Sequence, residues 1–233
     1  MSMPAAPSIS PAAAAAPPVA IPAEQSPNSP MARRPTWEVA YLCPAQGNWT
    51  AYEYFKLENM FGHHVRVELA NGWLEVLPVP TEIHQDLIKF VLALLDAFVL
   101  PRKLGKTSFA GIRVRTKNGK EPHFREPDLV FMKTENAHRR RNEFWDGADL
   151  LMEVVSGSPE DRKRDYETKA VEYALARVSE YWIIDPEEKR IRVLTLDGDV
   201  FKLHGDFTVG MTATSVLLPG FAVSVDETFA AGK

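Results

Sequence analysis

Two apolar runs, Asp128 to Met132 and Asp149 to Val155, each carry a carboxylate that a core strand would ordinarily exclude. Asp128 follows Pro127 at the start of the first run, and Glu153 lies inside the second. In an extended chain alternate side chains share a face, so Glu153 stands with Leu151 and Val155, in the middle of a strand. An unpaired buried carboxylate costs several kcal/mol, about as much as a fold can spare. Something must compensate each of them, and this requirement restricts the architecture more than any other feature of the chain.

Taken singly, each acid has a structural explanation. Glu153 could sit in a salt bridge with an arginine. Asp128 could be a turn residue, as Pro-Asp often is. If the two strands are neighbours, however, the carboxylates converge, and like charges sharing a site repel unless a cation joins them. Oxygen ligands without Cys or clustered His suit Mg²⁺ or Mn²⁺, with waters completing the shell. Lys169 is the third member of the constellation. On the helix that follows Pro159, positions 166, 169, 170 and 173 share a face, so Lys169 is expected among Tyr166, Ala170 and Tyr173, against the sheet. Its plain alternative is a surface ion pair with Asp165, four residues earlier.

The order of elements supports adjacency. Thr50 caps a helix over residues 51–58, and Asn71-Gly72 joins the runs 65–69 and 73–77 as a hairpin. Thr81 opens a helix with a wide apolar stripe (Leu87, Ile88, Val91, Leu92, Leu94, Leu95, Phe98), which Pro101 ends. Strands are expected at 109–115, 128–132 and 149–155, with a basic loop at 136–142. A helix begins at Ser158-Pro159, followed by a strand at 181–184 and a hairpin over 190–203 around Asp197-Gly198. From residue 83 to 184 the order is helix, three strands, helix, strand, the pattern of one α/β domain with hairpins added at each end.

Composition bounds the rest. The chain has 233 residues, 45% of them hydrophobic and 25% charged, enough for a sizeable core. Many of its 18 prolines crowd residues 1–35, an Ala/Pro/Ser stretch expected to be a disordered tail ahead of a domain at 36–233. A net charge of -4 argues against a protein that coats nucleic acid through a general basic field. Local basic groups remain: Arg113, Arg115, Lys117, Lys120 and Arg125 precede Asp128, and Arg139, Arg140 and Arg141 follow it, placed to meet a phosphate backbone. The single cysteine, Cys43, excludes an internal disulfide and a multi-cysteine zinc site. With no apolar run of membrane-spanning length and no export signal at the start, the expectation is a soluble, cytoplasmic protein.

Residues from about 50 to 227 resemble the Uma-type putative restriction endonuclease family, a branch of the PD-(D/E)XK nuclease superfamily. The resemblance rests on Glu68 with Asn71-Gly72, Pro78 and His84, Pro127-Asp128, and Glu153-Val154-Val155-Ser156. It continues through Asp165, Lys169 and Tyr173, residues 180–186, and Leu218-Pro219-Gly220. It implies a restriction-endonuclease-like αβββαβ core, a mixed central sheet flanked by helices, and Mg²⁺-dependent hydrolysis of DNA phosphodiester bonds. Asp128 and Glu153 match the metal-binding acids. The usual lysine two residues after the glutamate is replaced by Val155, and Lys169 on the next helix matches the residue that members of this branch supply instead. Glu75 or Glu82 would add to the metal shell, His84 lies near the site and Gln85 would position substrate. Superfamily nucleases often act as homodimers, although no seam in the sequence marks an interface. The competing reading is a degenerate nuclease fold that binds nucleic acid or a partner without turnover.

Overall fold

The elements form where local chemistry starts and stops them. In this computed structural model, residues 46–61, 66–117 and 122–233 are described, with the side chains of 58–61 excepted. All of these lie in the unit Pro35–Lys233. The expected tail at 1–35, Cys43 and Lys120 fall outside the described residues. Helix α1 (Ala51–Phe61) opens with a capping box, in which Glu53 accepts from the Thr50 N–H at 2.9 Å and Thr50 Oγ1 accepts from the Glu53 N–H at 3.3 Å. Strands β1 (Val67–Ala70) and β2 (Trp73–Val76) turn through Asn71 and Gly72, whose φ values of 50° and 75° are those of the tight hairpin that Asn-Gly favours. Helix α2 (Glu82–Val99) begins where Thr81 accepts from the His84 N–H.

Two sheets follow. The larger has six strands in the order β10-β9-β8-β7-β6-β3. These are β3 (Gly105–Phe109), β6 (Leu129–Lys133), β7 (Leu150–Val154), β8 (Glu180–Asp185), β9 (Arg190–Asp197) and β10 (Val200–Thr208). Strands β7 and β8 run parallel and the other neighbours antiparallel, so the sheet is mixed. The smaller sheet has the order β2-β1-β5-β4, with β4 (Val114–Lys117) and β5 (His123–Arg125). A short pair, β11 (Thr212–Thr214) with β12 (Ala222–Ser224), leads into helix α5 (Val225–Ala231).

The strand expected at 109–115 is therefore two strands in two sheets. Gly111, at a φ of +97°, bends the chain between them. The β4-β5 hairpin also joins β1 and β2, so the amino-terminal hairpin grows into a four-stranded sheet instead of standing alone. The basic excursion after β6 is a tight helical turn over Thr134–Arg139.

Alternation along the six-stranded sheet separates two apolar layers. Leu129, Phe131, Leu150, Met152 and Val154 pack with Leu87, Val91 and Leu95 of α2. Val130, Met132, Leu151 and Val155 pack on the opposite face with Tyr173 and Tyr181. Each such large side chain contributes about 1.5–3 kcal/mol on burial. A third cluster, Tyr54, Leu57, Leu69, Leu74 and Phe124, fastens α1 to the smaller sheet.

The segment after β7 is a helix in three pieces. Ser158 caps α3 (Pro159–Lys163), accepting from the Asp161 N–H at 3.0 Å. A wider π turn covers Arg164–Thr168, with the Lys169 N–H bonding back to the Arg164 carbonyl, and α4 (Lys169–Leu175) continues from it. Such single π turns often mark functional sites.

Candidate active site

The β6–β7 register pairs Leu129 with Met152 and Val130 with Leu151. Continued by one residue, it sets Asp128 directly opposite Glu153, and directly opposed residues of an antiparallel pair point to the same face. That face is the one covered by α4. Asp128 is 6% exposed and Glu153 is 3% exposed, so both acids are buried side by side.

Their partners come from three directions. Asp128 Oδ2 accepts from the Val154 N–H at 2.8 Å and lies 3.2 Å from His84 Nε2, which is also 3.1 Å from the Val154 carbonyl oxygen. Glu153 Oε1 accepts from the Tyr173 hydroxyl at 2.6 Å and from Lys169 Nζ at 3.0 Å. The same ammonium lies 3.1 Å from Asp165 Oδ1. The other oxygens, Asp128 Oδ1 and Glu153 Oε2, have no donor among the described residues.

Electrostatics follow from this arrangement. Burial, with the Asp128 charge added to it, pushes the Glu153 carboxyl well above the ordinary carboxylate range in spite of Lys169. Burial works against the Lys169 charge, but Asp165, Glu153 and Glu68 outweigh it and hold the ammonium protonated. Burial likewise raises Asp165, against Lys169 and Arg164. Burial alone would lower His84, yet its bond to Asp128 and the charges of Asp128 and Glu153 bring it above its ordinary value.

Among the described residues no group of three or more His, Cys, Asp or Glu side chains is arranged to hold a metal ion. The donor chemistry nevertheless fits a hard divalent cation that keeps most of its waters: two carboxyl groups side by side, each with an oxygen unclaimed by a protein donor, one of them raised by burial and by the charge of the other.

The other expected site residues divide. Asp165 is 3% exposed, so its pair with Lys169 is buried, not the surface pair weighed from the sequence. The π turn brings it inward. Glu75 bonds to Arg125 at 2.6 Å, on the smaller sheet, and so joins that cluster rather than the two acids. Glu82 and Gln85 are exposed in the first turn of α2. Arg125, expected among the phosphate-binding cations, is 1% exposed. It bonds Glu68 at 2.9 Å and Glu172 at 2.8 Å besides Glu75, so its guanidinium is spent inside the fold. Arg115 pairs with Asp146, Arg113 lies 3.7 Å from Glu126, and Arg140 and Arg141 stack over Trp145 and Phe144. Arg139 donates to the Asp146 carbonyl.

Tyr173 and Glu68 matter more than the sequence alone indicated. Tyr173 lies four residues beyond Lys169, one helical turn away, which is the signal that could have tied it to Glu153. Glu68 lies in the field of Lys169 from a different sheet, and nothing local signals that.

The family model Uma2, described as "Putative restriction endonuclease", matches residues 51–226. The chain belongs to this Uma2 family. The crystal structure of a putative nuclease belonging to DUF820 from Anabaena variabilis ATCC 29413 superposes with a TM-score of 0.55 at 17% identity, covering 72% of this chain and 91% of that one. At that identity the likeness is one of fold. A search of the curated proteins gave no match. The family match gives the description, putative restriction endonuclease, and the structural likeness gives the fold; no helix among the described residues is long and apolar enough to cross a membrane.

Proposed function

We propose that this Uma2 protein is a divalent-metal-dependent endonuclease that hydrolyses DNA phosphodiester bonds, with Asp128 and Glu153 holding Mg²⁺ or Mn²⁺. The observation that carries this reading is the opposed, buried pair of acids, each with an oxygen left without a protein donor. Two carboxylates side by side in an apolar sheet repel each other unless a cation joins them.

When bound, the metal would lower the pKa of a coordinated water and neutralise charge on the scissile phosphate. The chain supplies the rest. Tyr173 and Lys169 both donate to Glu153 Oε1, fixing the carboxylate and leaving Oε2 without a protein donor. The Val154 N–H does the same for Asp128 through Oδ2. Because its neighbours keep it protonated, Lys169 serves as a hydrogen-bond donor and positive charge beside the reacting phosphate, not as a base.

One observation favours the degenerate reading: no third metal-ligating side chain joins the two acids among the described residues. Calorimetric titration of Mn²⁺ into the wild type and Glu153→Ala separates the two, alongside nicking of supercoiled plasmid in Mg²⁺. Wild-type binding and nicking, both lost in the variant, are expected. A wild type that binds no Mn²⁺ would defeat the enzyme reading.

A further inference from the structure

On the flank of α4 away from the two acids lies a cavity of about 400 Å³ between β4, β5, the turn at 146–147 and the end of α4. Four cationic side chains, Arg115, Lys117, Arg139 and Arg177, line it, with His123 at its wall. The acids that line it are already engaged. Asp146 receives two bonds from Arg115, at 3.0 and 2.6 Å, and Glu172 receives two from Arg125, both at 2.8 Å. Arg177 is balanced by Asp199 at 2.7 Å. Arg139 meets only a backbone carbonyl, that of Asp146, and pairs with no carboxylate among the described residues.

Two features show that this is a built site and not a patch of solvated charge. Strand β4 carries one residue too many for β5: Arg115 pairs with Phe124 and Lys117 with His123, and Thr116 is left outside the register. The bulge lets Thr116 line the cavity while remaining 6% exposed, and its hydroxyl has no hydrogen-bond partner among the described residues. Bulges re-aim side chains beside functional sites, and an orphaned buried hydroxyl is a cost that a ligand would remove. Gly147 adds the second feature. Its φ is +80°, and a β-carbon there would collide with the Arg139 guanidinium. The left-handed φ favours glycine there, and a side chain in its place would displace the end of the Arg139 side chain.

We infer that this cavity binds a phosphate group, and that its source is a backbone phosphate of the nucleic acid beside the one cleaved. A single oxyanion would meet the Arg139 guanidinium and the Thr116 hydroxyl, satisfying both. Glu172 at the cavity wall is three residues beyond Lys169, about 4.5 Å along the helix axis, so the cavity and the acid pair flank the same helical turn. The assignment rests on the nuclease reading for its substrate, but not on turnover.

The test uses the full chain in EDTA and reads anisotropy of a short fluorescein-labelled DNA duplex across a salt series, for wild type, Arg139→Gln and Thr116→Val. Arg139→Gln is expected to bind about tenfold more weakly at low salt, with a logarithmic salt slope shallower by about 0.9. Thr116→Val, which keeps shape and removes the orphaned hydroxyl, should bind several-fold more weakly while melting no lower than wild type. Equal duplex affinity for all three proteins would overturn the inference and leave the nuclease proposal standing. A melting-temperature rise with inorganic phosphate in wild type alone, with duplex affinity unchanged in both variants, would make free phosphate the ligand and overturn the backbone assignment. Wild-type duplex binding that depends on both residues, without plasmid nicking in Mg²⁺, would support the cavity and defeat the nuclease proposal.

Discussion

Arg125 and Asp128 stand three residues apart and anchor two buried charge clusters that behave oppositely. Each gathers three acids near a central base: Glu68, Glu75 and Glu172 around Arg125, and Glu153 and Asp165 around Lys169, with Asp128 beside Glu153 and Arg164 3.8 Å from Asp165. Counting charges does not separate them. The difference is in donors. The planar guanidinium gives Glu172 a two-point bond and still reaches Glu68 and Glu75, while the Glu126 N–H supplies Glu68's second oxygen at 2.8 Å. Against burial, Glu68 is held down to about 2 by the Lys169 charge and then by Arg125 and the Glu126 N–H, and Glu172 to about 2 by its bonds to Arg125 and His123. The Lys169 ammonium divides itself between Glu153 and Asp165 and touches no oxygen of Asp128, so Glu153 rises instead. One cluster is closed. The other keeps two oxygens without a protein donor, the ones that would meet the cation under the proposed function.

The largest effects should come from breaking the open cluster. Glu153→Gln preserves shape and both donors to Oε1 but removes the excess charge. Hydrolysis should fall by about 10³-fold or more, about 4 kcal/mol. The metal-free protein should melt higher, since a repulsive buried charge is gone. A melting temperature below that of wild type would show that Glu153 is a structural acid and that the contrast is misdrawn. Arg125→Met makes the reverse change in the closed cluster. It strands two buried carboxylates and should cost about 3–5 kcal/mol, measured by urea unfolding. A loss under about 1 kcal/mol would mean that the hub is dispensable.

Acid titration sharpens the same contrast. The folded values of Glu68 and Glu172 lie at about 2, below the ordinary value of 4.5, so the folded state binds fewer protons than the unfolded state between those limits. Their contribution is complete above pH 4.5 and is lost as pH falls toward 2, on the order of 3 kcal/mol for the fully buried Glu68. Unfolding free energy should therefore drop through that window in wild type and less in Arg125→Met, where Glu172 loses its first partner while Glu68 keeps the field of Lys169. Parallel pH curves for the two proteins would place the acid sensitivity elsewhere.

What the sequence made legible follows from how local each signal was. The order helix, strand, strand, strand, helix, strand survives once β4 and β5 are recognised as an insertion, because caps, prolines and period-two alternation act over a few residues. Asp128, Glu153 and Lys169 were readable as anomalies, since each is a charge where the pattern demanded an apolar side chain. The Arg125 hub was not. Its partners lie 57, 50 and 47 residues away in three elements, and an arginine in a basic stretch reads as a surface cation until they are known. The π turn was equally invisible, and it is what buries Asp165 beside Lys169 when helical periodicity placed Tyr166 there.

The smallest change expected to register at the open cluster is Tyr173→Phe. The hydroxyl donates to Glu153 Oε1 at 2.6 Å from a side chain that is itself fully buried, packed edge-on against Tyr181 at a centroid separation of 5.0 Å. Removing it leaves the aromatic packing, so folding should change by about 1–3 kcal/mol at most. Glu153 would then be held at Oε1 by Lys169 alone, its carboxylate less firmly oriented. Turnover should fall about tenfold, with a weaker Mn²⁺ affinity and an unchanged KM for plasmid, because the residue orients a ligand and does not touch substrate. If turnover fell while Mn²⁺ affinity stayed at the wild-type value, Tyr173 would be acting on the phosphate or the water directly. The open cluster would then be more than two acids awaiting a cation: its tyrosine would belong to the reacting atoms, as no residue of the Arg125 hub does.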